Sequence, residues 1–182
     1  DFKNYTNLID KYASMNTSYD KVGFVLYNKQ TGERCKIRNP VYEEVRQLRG
    51  NQPKLQFHYL ALRKEGKVAT FLKFYPENKK EFSMFRDQIH LFTNTLYDNY
   101  VSCYMKKEKP LNEFSEQYRT HMFKIHEIYL KDLRSNKLFV TNTVVIKYVN
   151  ELPTSLLMYC LNYNMRKRMI DTIKNDNIVT SK

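Results

Sequence analysis

Val22-Gly23-Phe24-Val25-Leu26-Tyr27-Asn28 and Cys35-Lys36-Ile37-Arg38-Asn39-Pro40-Val41-Tyr42 decide how this chain is read. The first is a run of β-branched and aromatic residues and predicts a strand over 22–27. Asn28-Lys29-Gln30-Thr31-Gly32 follows as a hairpin-type loop, with Gly32 suited to positive φ. Residues 33–38 make the return strand, which Asn39-Pro40 ends. Lys36 and Arg38 flank Ile37 at a period of two, so they share one face of that strand. Two neighbouring cations repel unless an anion lies between them. An Arg that grips in a fork and a Lys that acts as a point charge suit a phosphate or triphosphate. The same spacing also describes an ordinary solvated strand face, and spacing alone leaves both readings open.

Working outward, the hydrophobic period is helical on both sides. Apolar residues at 2, 5, 8, 9, 12 and 15 predict a helix over 2–15, and residues 16–20 read as a turn. After Pro40 the period changes from two to about three and a half. Tyr42, Val45 and Leu48 mark a helix that ends at Gly50. Leu55, Tyr59 and Leu62 mark one that ends at Gly66, and Val68, Phe71, Leu72 and Phe74 one that stops before Pro76. A long helix is expected over 78–106, with Phe82, Phe85, Ile89, Phe92, Leu96, Tyr100 and Cys103 as its stripe. Another is expected over 114–134, with Phe114, Tyr118, Met122, Ile125 and Tyr129. Residues 138–149 are rich in Val and Ile, which favours strand. Positions 138, 141, 145, 148 and 152 nevertheless fit one helical face, and the reading taken is helix. A last helix starts at Pro153 and runs to 174, and residues 175–182 read as a mobile tail.

The 182 residues suffice for one ordinary domain, or one domain and part of another. With only 4 Gly and 5 Pro, an all-β fold is disfavoured. A formal charge of +12 favours a polyanionic partner, because cations steer and neutralise phosphates. No apolar run has membrane-spanning length, so no membrane partner is expected. The three cysteines, Cys35, Cys103 and Cys160, are widely spaced; they suggest neither a disulfide framework nor a zinc site and fit a reducing compartment. His121 and His126, five apart, do not stack on one helix face, and no general acid–base pair emerges. Glu43-Glu44 reads as the acidic first turn of a helix.

Basic residues concentrate in four further places. Arg46 and Arg49 lie three apart on one helical face. Lys54, Arg63, Lys64 and Lys67 surround the next helix junction. Lys106, Lys107 and Lys109 form a basic turn. Arg166, Lys167 and Arg168 follow Asn162, Tyr163 and Asn164. Cations beside tyrosines suit an RNA backbone with a stacked base; solvated helix surface is the alternative reading of each.

Residues 23–25 and 35–42 resemble the last two nucleotidyltransferase motifs of phage- and large-DNA-virus-type RNA ligases. These enzymes belong to the covalent nucleotidyltransferase superfamily, with DNA ligases and mRNA capping enzymes. The family's first motif usually reads Glu-Gly-x-Val and its second is a Lys-x-Lys-type strand. Lys36 matches the first Lys, and Arg38 replaces the second with its charge kept. Val22 stands where the family has Glu, and the nucleophile motif, Lys-x-Asp-Gly or Lys-x-Asn-Gly, occurs nowhere in the chain.

The resemblance implies an α+β fold. Residues 1–41 would be the β-hairpin end of a nucleotidyltransferase domain, and 42–182 a mostly helical C-terminal domain. It implies part of an ATP-dependent RNA ligase that is not catalytically complete alone and belongs with an upstream segment carrying the nucleophile. Lys36 and Arg38 would contact nucleotide phosphates. ATP and Mg²⁺ would serve the complete enzyme, and no metal ligand is assigned in this chain. Arg46, Arg49, Lys106, Lys107, Lys109, Arg166, Lys167 and Arg168 would contact RNA, with tRNA among the candidates. The expected location is cytoplasm, that of the host if the protein is viral. Two alternatives are a non-catalytic nucleic-acid-binding module and a viral structural or protein-interaction helical domain; fold alone does not choose among them.

Overall fold

The computed structural model describes the backbone of residues 4–179 and the side chains of residues 4–171. In chain order the elements are α1 (Tyr5–Tyr12), β1 (Gly23–Tyr27), β2 (Arg34–Arg38), α2 (Pro40–Arg49), α3 (Leu55–Lys64), α4 (Val68–Phe74), α5 (Lys79–Tyr100), α6 (Glu116–Ile128), α7 (Asn142–Glu151), α8 (Thr154–Leu161) and α9 (Tyr163–Val179). An N-terminal antiparallel β-hairpin is thus followed by a mostly helical region. The described residues fall into two compact units. One comprises the residues up to 54 with 67–77; the other comprises 55–66 with those from 78 onward.

In the hairpin unit, β1 and β2 pair with Gly23 opposite Arg38 and Val25 opposite Lys36. The loop closes because Asn28 Oδ1 accepts hydrogen bonds from Gln30 N–H (2.9 Å) and Thr31 N–H (3.3 Å). Gly23 is dictated by sterics. Its φ is +128°, and a Cβ there would lie 2.1 Å from the carbonyl oxygen of Ile37. Asn39 is completely buried and joins three pieces of chain. Its N–H donates to Val22 O (3.0 Å), and Nδ2 donates to Ser18 O (2.8 Å) and Lys21 O (2.9 Å). Its Oδ1 caps α2 by accepting from Val41 N–H at 3.0 Å, while Pro40 occupies the first helical turn, where no N–H is needed. The strand therefore ends and the helix begins at a single fixed point.

In the helical unit, α5 supplies the central stripe. Phe82, Phe85, Ile89, Phe92, Leu96 and Tyr100 are all buried at three- and four-residue spacing. Buried residues from α3 (Tyr59, Leu60, Leu62), α6 (Met122, Ile125), α7 (Val145, Tyr148, Val149) and α8 (Leu157, Cys160) complete the core. The Tyr59 ring meets Phe82 edge-on at 4.9 Å.

Several boundaries differ from the sequence reading. The helix expected over 2–15 is confined to Tyr5–Tyr12, and Phe2 and Lys3 lie outside the described residues. The helix expected over 78–106 ends at Tyr100 and widens into a π-type turn, Val101–Met105. The one expected over 114–134 likewise passes into a π-type turn, Tyr129–Leu133, after Ile128. Residues 138–149 do contain a helix, but it starts at Asn142. Lys137 adopts left-handed backbone, and Leu138 is exposed instead of facing the core. The single last helix is interrupted at Asn162, whose Nδ2 donates to Gln56 Oε1 at 2.7 Å, and its second half extends to Val179, beyond the expected end at 174. Of the expected mobile tail, residues 180–182 lie outside the described residues. Among the described residues, no helix is long and apolar enough to cross a membrane.

Candidate nucleic-acid interface

An electropositive concavity lies on the hairpin unit. Val22, Gly23, Phe24, Val25, Lys36, Ile37, Arg38, Tyr42 and Arg46 line an open cleft of about 530 Å³. Strand alternation sends Lys36 and Arg38 to the same side. The turn at Asn39-Pro40 then folds α2 back so that Arg46 joins them. Glu43, in the first turn of α2, pairs with Arg38 and also with Arg46 (3.4 Å). The hydrogen bond from Arg38, with the charges of both arginines, holds the Glu43 carboxyl below the ordinary carboxylate range. The same hydrogen bond raises the Arg38 guanidinium. Three cations thus line the cleft, and two of them pair with the Glu43 carboxylate, which is not itself in the lining. An internal anion already occupies part of the fork of Arg38, and Arg46 is held where it adds to the field.

The remaining basic residues are placed differently. Arg49, three residues after Arg46, lies over the Tyr75 ring at 5.8 Å, and Tyr75 Oη donates to Val45 O at 3.1 Å. Lys106 and Lys109 line a shallow cleft that also contains Asp98 and Glu108. Glu108 accepts from Ser102 Oγ (2.5 Å) and lies 3.6 Å from Lys106, so this cleft sets two cations against two carboxylates. Lys109 rests over Phe114 at 4.7 Å, and Lys107 takes left-handed backbone at the turn. Arg166, Lys167 and Arg168 are exposed on the first turns of α9; Arg166 covers the ring of Tyr159 at 5.0 Å. Of the ten basic residues assigned to phosphate or RNA, Lys36, Arg38 and Arg46 converge on one cationic cleft, Lys106, Lys107 and Lys109 share a turn beside Asp98 and Glu108, Arg166, Lys167 and Arg168 form an exposed helical set, and Arg49 stands apart over Tyr75.

A buried polar cluster escaped the sequence reading. His121 Nδ1 lies 2.7 Å from Tyr148 Oη, and His121 Nε2 lies 3.1 Å from Cys160 Sγ. The three residues come from α6, α7 and α8, so no local spacing announces them. Burial pushes the Cys160 thiol up to about 11 and lowers the His121 imidazole. A nucleophilic cysteine needs the opposite shift, toward thiolate. The cluster is a neutral hydrogen-bonded chain that fastens three helices. His126 is half-buried: it stacks on Tyr104 (4.0 Å between ring centres), and its Nδ1 lies 3.2 Å from Tyr100 Oη. Among the described residues, no group of three or more His, Cys, Asp or Glu is placed to hold a metal ion.

In comparisons with known proteins, no family model, no curated protein and no solved structure matches the chain.

Proposed function

We propose that this chain is part of an ATP-dependent RNA ligase-like nucleotidyltransferase. In this reading the hairpin unit contacts the phosphates of a nucleotide or of an RNA end, and the helical unit binds RNA. The observation that carries the reading is the convergence of Lys36, Arg38 and Arg46 on one open cleft. The residue at position 23 matches the Gly of the resembled motif, and its backbone accepts no side chain. Fixed cations on a strand and an adjoining helix offer a polyphosphate a site whose geometry needs little further ordering.

The donor set fits the phosphates of ATP as substrate. It does not fit Mg²⁺: Val22 has no oxygen on its side chain, and the Glu43 carboxylate is held by two arginines. The role proposed for these residues is binding and orientation of phosphates, with no covalent step on this chain, which contains no Lys-x-[Asp/Asn]-Gly segment. A lysine and an arginine beside a polyphosphate lower the charge that a nucleophile must approach.

The test is incubation of the protein encoded by the native gene with radiolabelled ATP and Mg²⁺, followed by denaturing electrophoresis. A covalently labelled band that weakens strongly in Lys36→Ala is the expected result. The absence of label from a folded protein contradicts the ligase reading.

A further inference from the structure

The helical unit carries a second concavity that the phosphate cleft does not use. It is about 350 Å³, within the range of small-ligand sites. Glu116, Gln117, Thr120, His121 and Lys124 line it from one face of α6; Leu156, Tyr159 and Cys160 come from α8, and Tyr163 from the start of α9. Tyr163, the first residue of α9 after the break at Asn162, is the part of that helix that reaches the groove.

We propose that this groove is a nucleobase site for single-stranded RNA, with Tyr159 as the stacking surface and Arg166, Lys167 and Lys124 as contacts to the flanking phosphates. The inference rests on the RNA-binding part of the proposed function and names the place where it happens. Three observations carry it. Tyr159 lines the groove yet is 45% exposed, so an aromatic face is presented to solvent beside a polar wall. Arg166 lies over that ring at 5.0 Å, so its guanidinium holds the place of a stacked base and would swing to a flanking phosphate when a base takes that place. Glu116 is committed to the protein, accepting from Tyr163 Oη at 2.8 Å and pairing with Arg119 at 3.0 Å. That hydrogen bond, together with the charges of Arg119 and Lys167, holds its carboxyl below the ordinary range. The acidic residue on the wall therefore stays ionised, with its charge paired to Arg119. Gln117 is positioned by its own bond, Nε2 donating to Cys160 O at 2.7 Å, so an amide and the Thr120 hydroxyl stand where a base edge would be read. The His121–Tyr148–Cys160 chain forms the rigid floor.

Binding of the full chain to a fluorescein-labelled 12-nucleotide oligo(U) RNA, and to an abasic ribose-phosphate strand of equal length, tests this over a salt series. The wild type is expected to bind oligo(U) more tightly than the abasic strand. Tyr159→Ala is expected to weaken oligo(U) binding about 5- to 150-fold, the size of one stacked base, with the salt slope unchanged. Tyr159→Phe keeps the stacking face and is expected to retain affinity. Changing Arg166 and Lys167 together to Gln is expected to reduce the slope of log affinity against log salt by about 1.4, two phosphate contacts at about 0.7 each. Equal wild-type affinity for the two strands overturns the proposal, and that comparison depends on no variant folding. Unchanged oligo(U) affinity in a folded Tyr159→Ala overturns it as well. Neither result touches the phosphate cleft, whose readout is nucleotide labelling governed by Lys36.

Discussion

The two units hold themselves together by different physics. The helical unit rests on a continuous apolar stripe: Phe82, Phe85, Ile89, Phe92 and Leu96 of α5 are buried against residues from four other helices. The hairpin unit has few buried side chains and rests on point constraints, among them a glycine that admits no Cβ and one asparagine with bonds to five backbone groups. A stripe tolerates local change and spreads its cost, whereas a point constraint fails all at once. The cationic cleft sits on the unit of the second kind: Gly23 lines it, and Asn39 fixes the turn that brings α2 and Arg46 to it.

The contrast is open to direct attack. The largest effect belongs to the stripe: Phe92→Ala should cost about 3–5 kcal/mol of stability in chemical denaturation, as burial of a large aromatic side chain is lost and a cavity remains. Gly23→Ala should come next. The backbone strain alone is about 1–3 kcal/mol, and the contact with Ile37 O must be relieved by opening the β1–β2 pairing. Hydrogen exchange should show that loss in residues 22–38 while the amides of α5 stay protected. Asn39→Ala should cost on the order of 1–3 kcal/mol, since Ser18 O, Lys21 O and Val41 N–H lose their partner. If hydrogen exchange after Gly23→Ala or Asn39→Ala spread equally through both units, the contrast would be wrong.

A smaller effect concerns pH. Burial keeps His121 neutral by lowering it from its ordinary 6.5. Between that depressed value and 6.5 the unfolded imidazole binds a proton that the folded one refuses, so acidification favours unfolding in this window. Stability of the helical unit should therefore decline as pH falls below about 6.5, and His121→Gln should flatten that part of the profile. The smallest expected change is in affinity. Glu43→Gln releases Arg38 and Arg46 from their internal anion, so inorganic triphosphate should bind several-fold more tightly, with a steeper salt dependence.

The sequence carried the six apolar residues of α5 from Phe82 to Tyr100, because their period is local and no glycine or proline interrupts it; Cys103, read as part of the stripe, is half-buried in the π-type turn, and the buried Thr93 was not read. Lys36 and Arg38 were legible for the same reason, two residues apart on one strand. Arg46 was legible only as half of a helical pair with Arg49. Its place in the cleft depends on the reversal at Asn39-Pro40, and the counter-ion Glu43 reads locally as nothing more than an acidic first turn. The His121–Tyr148–Cys160 chain spans separations of 27 and 39 residues, which no periodicity encodes. The break at Asn162 was hidden because residues 154–170 contain no Gly or Pro. What interrupts the helix there coincides with a side-chain bond to Gln56, more than a hundred residues away. The two π-type turns after α5 and α6 were equally silent, since helical periodicity does not distinguish a widened turn from a regular one.

The most direct test of the phosphate role proposed for the cationic cleft is a titration of the full chain with inorganic triphosphate, followed residue by residue through backbone amide NMR shifts. The account predicts saturable shifts concentrated in residues 22–25 and 36–46, abolished when Lys36 and Arg38 are both changed to Gln, with residues 106–109, where Lys106 and Lys109 share a cleft with Asp98 and Glu108, little affected. Shifts of equal size at 106–109, or no saturable response at 22–25 and 36–46, would contradict it.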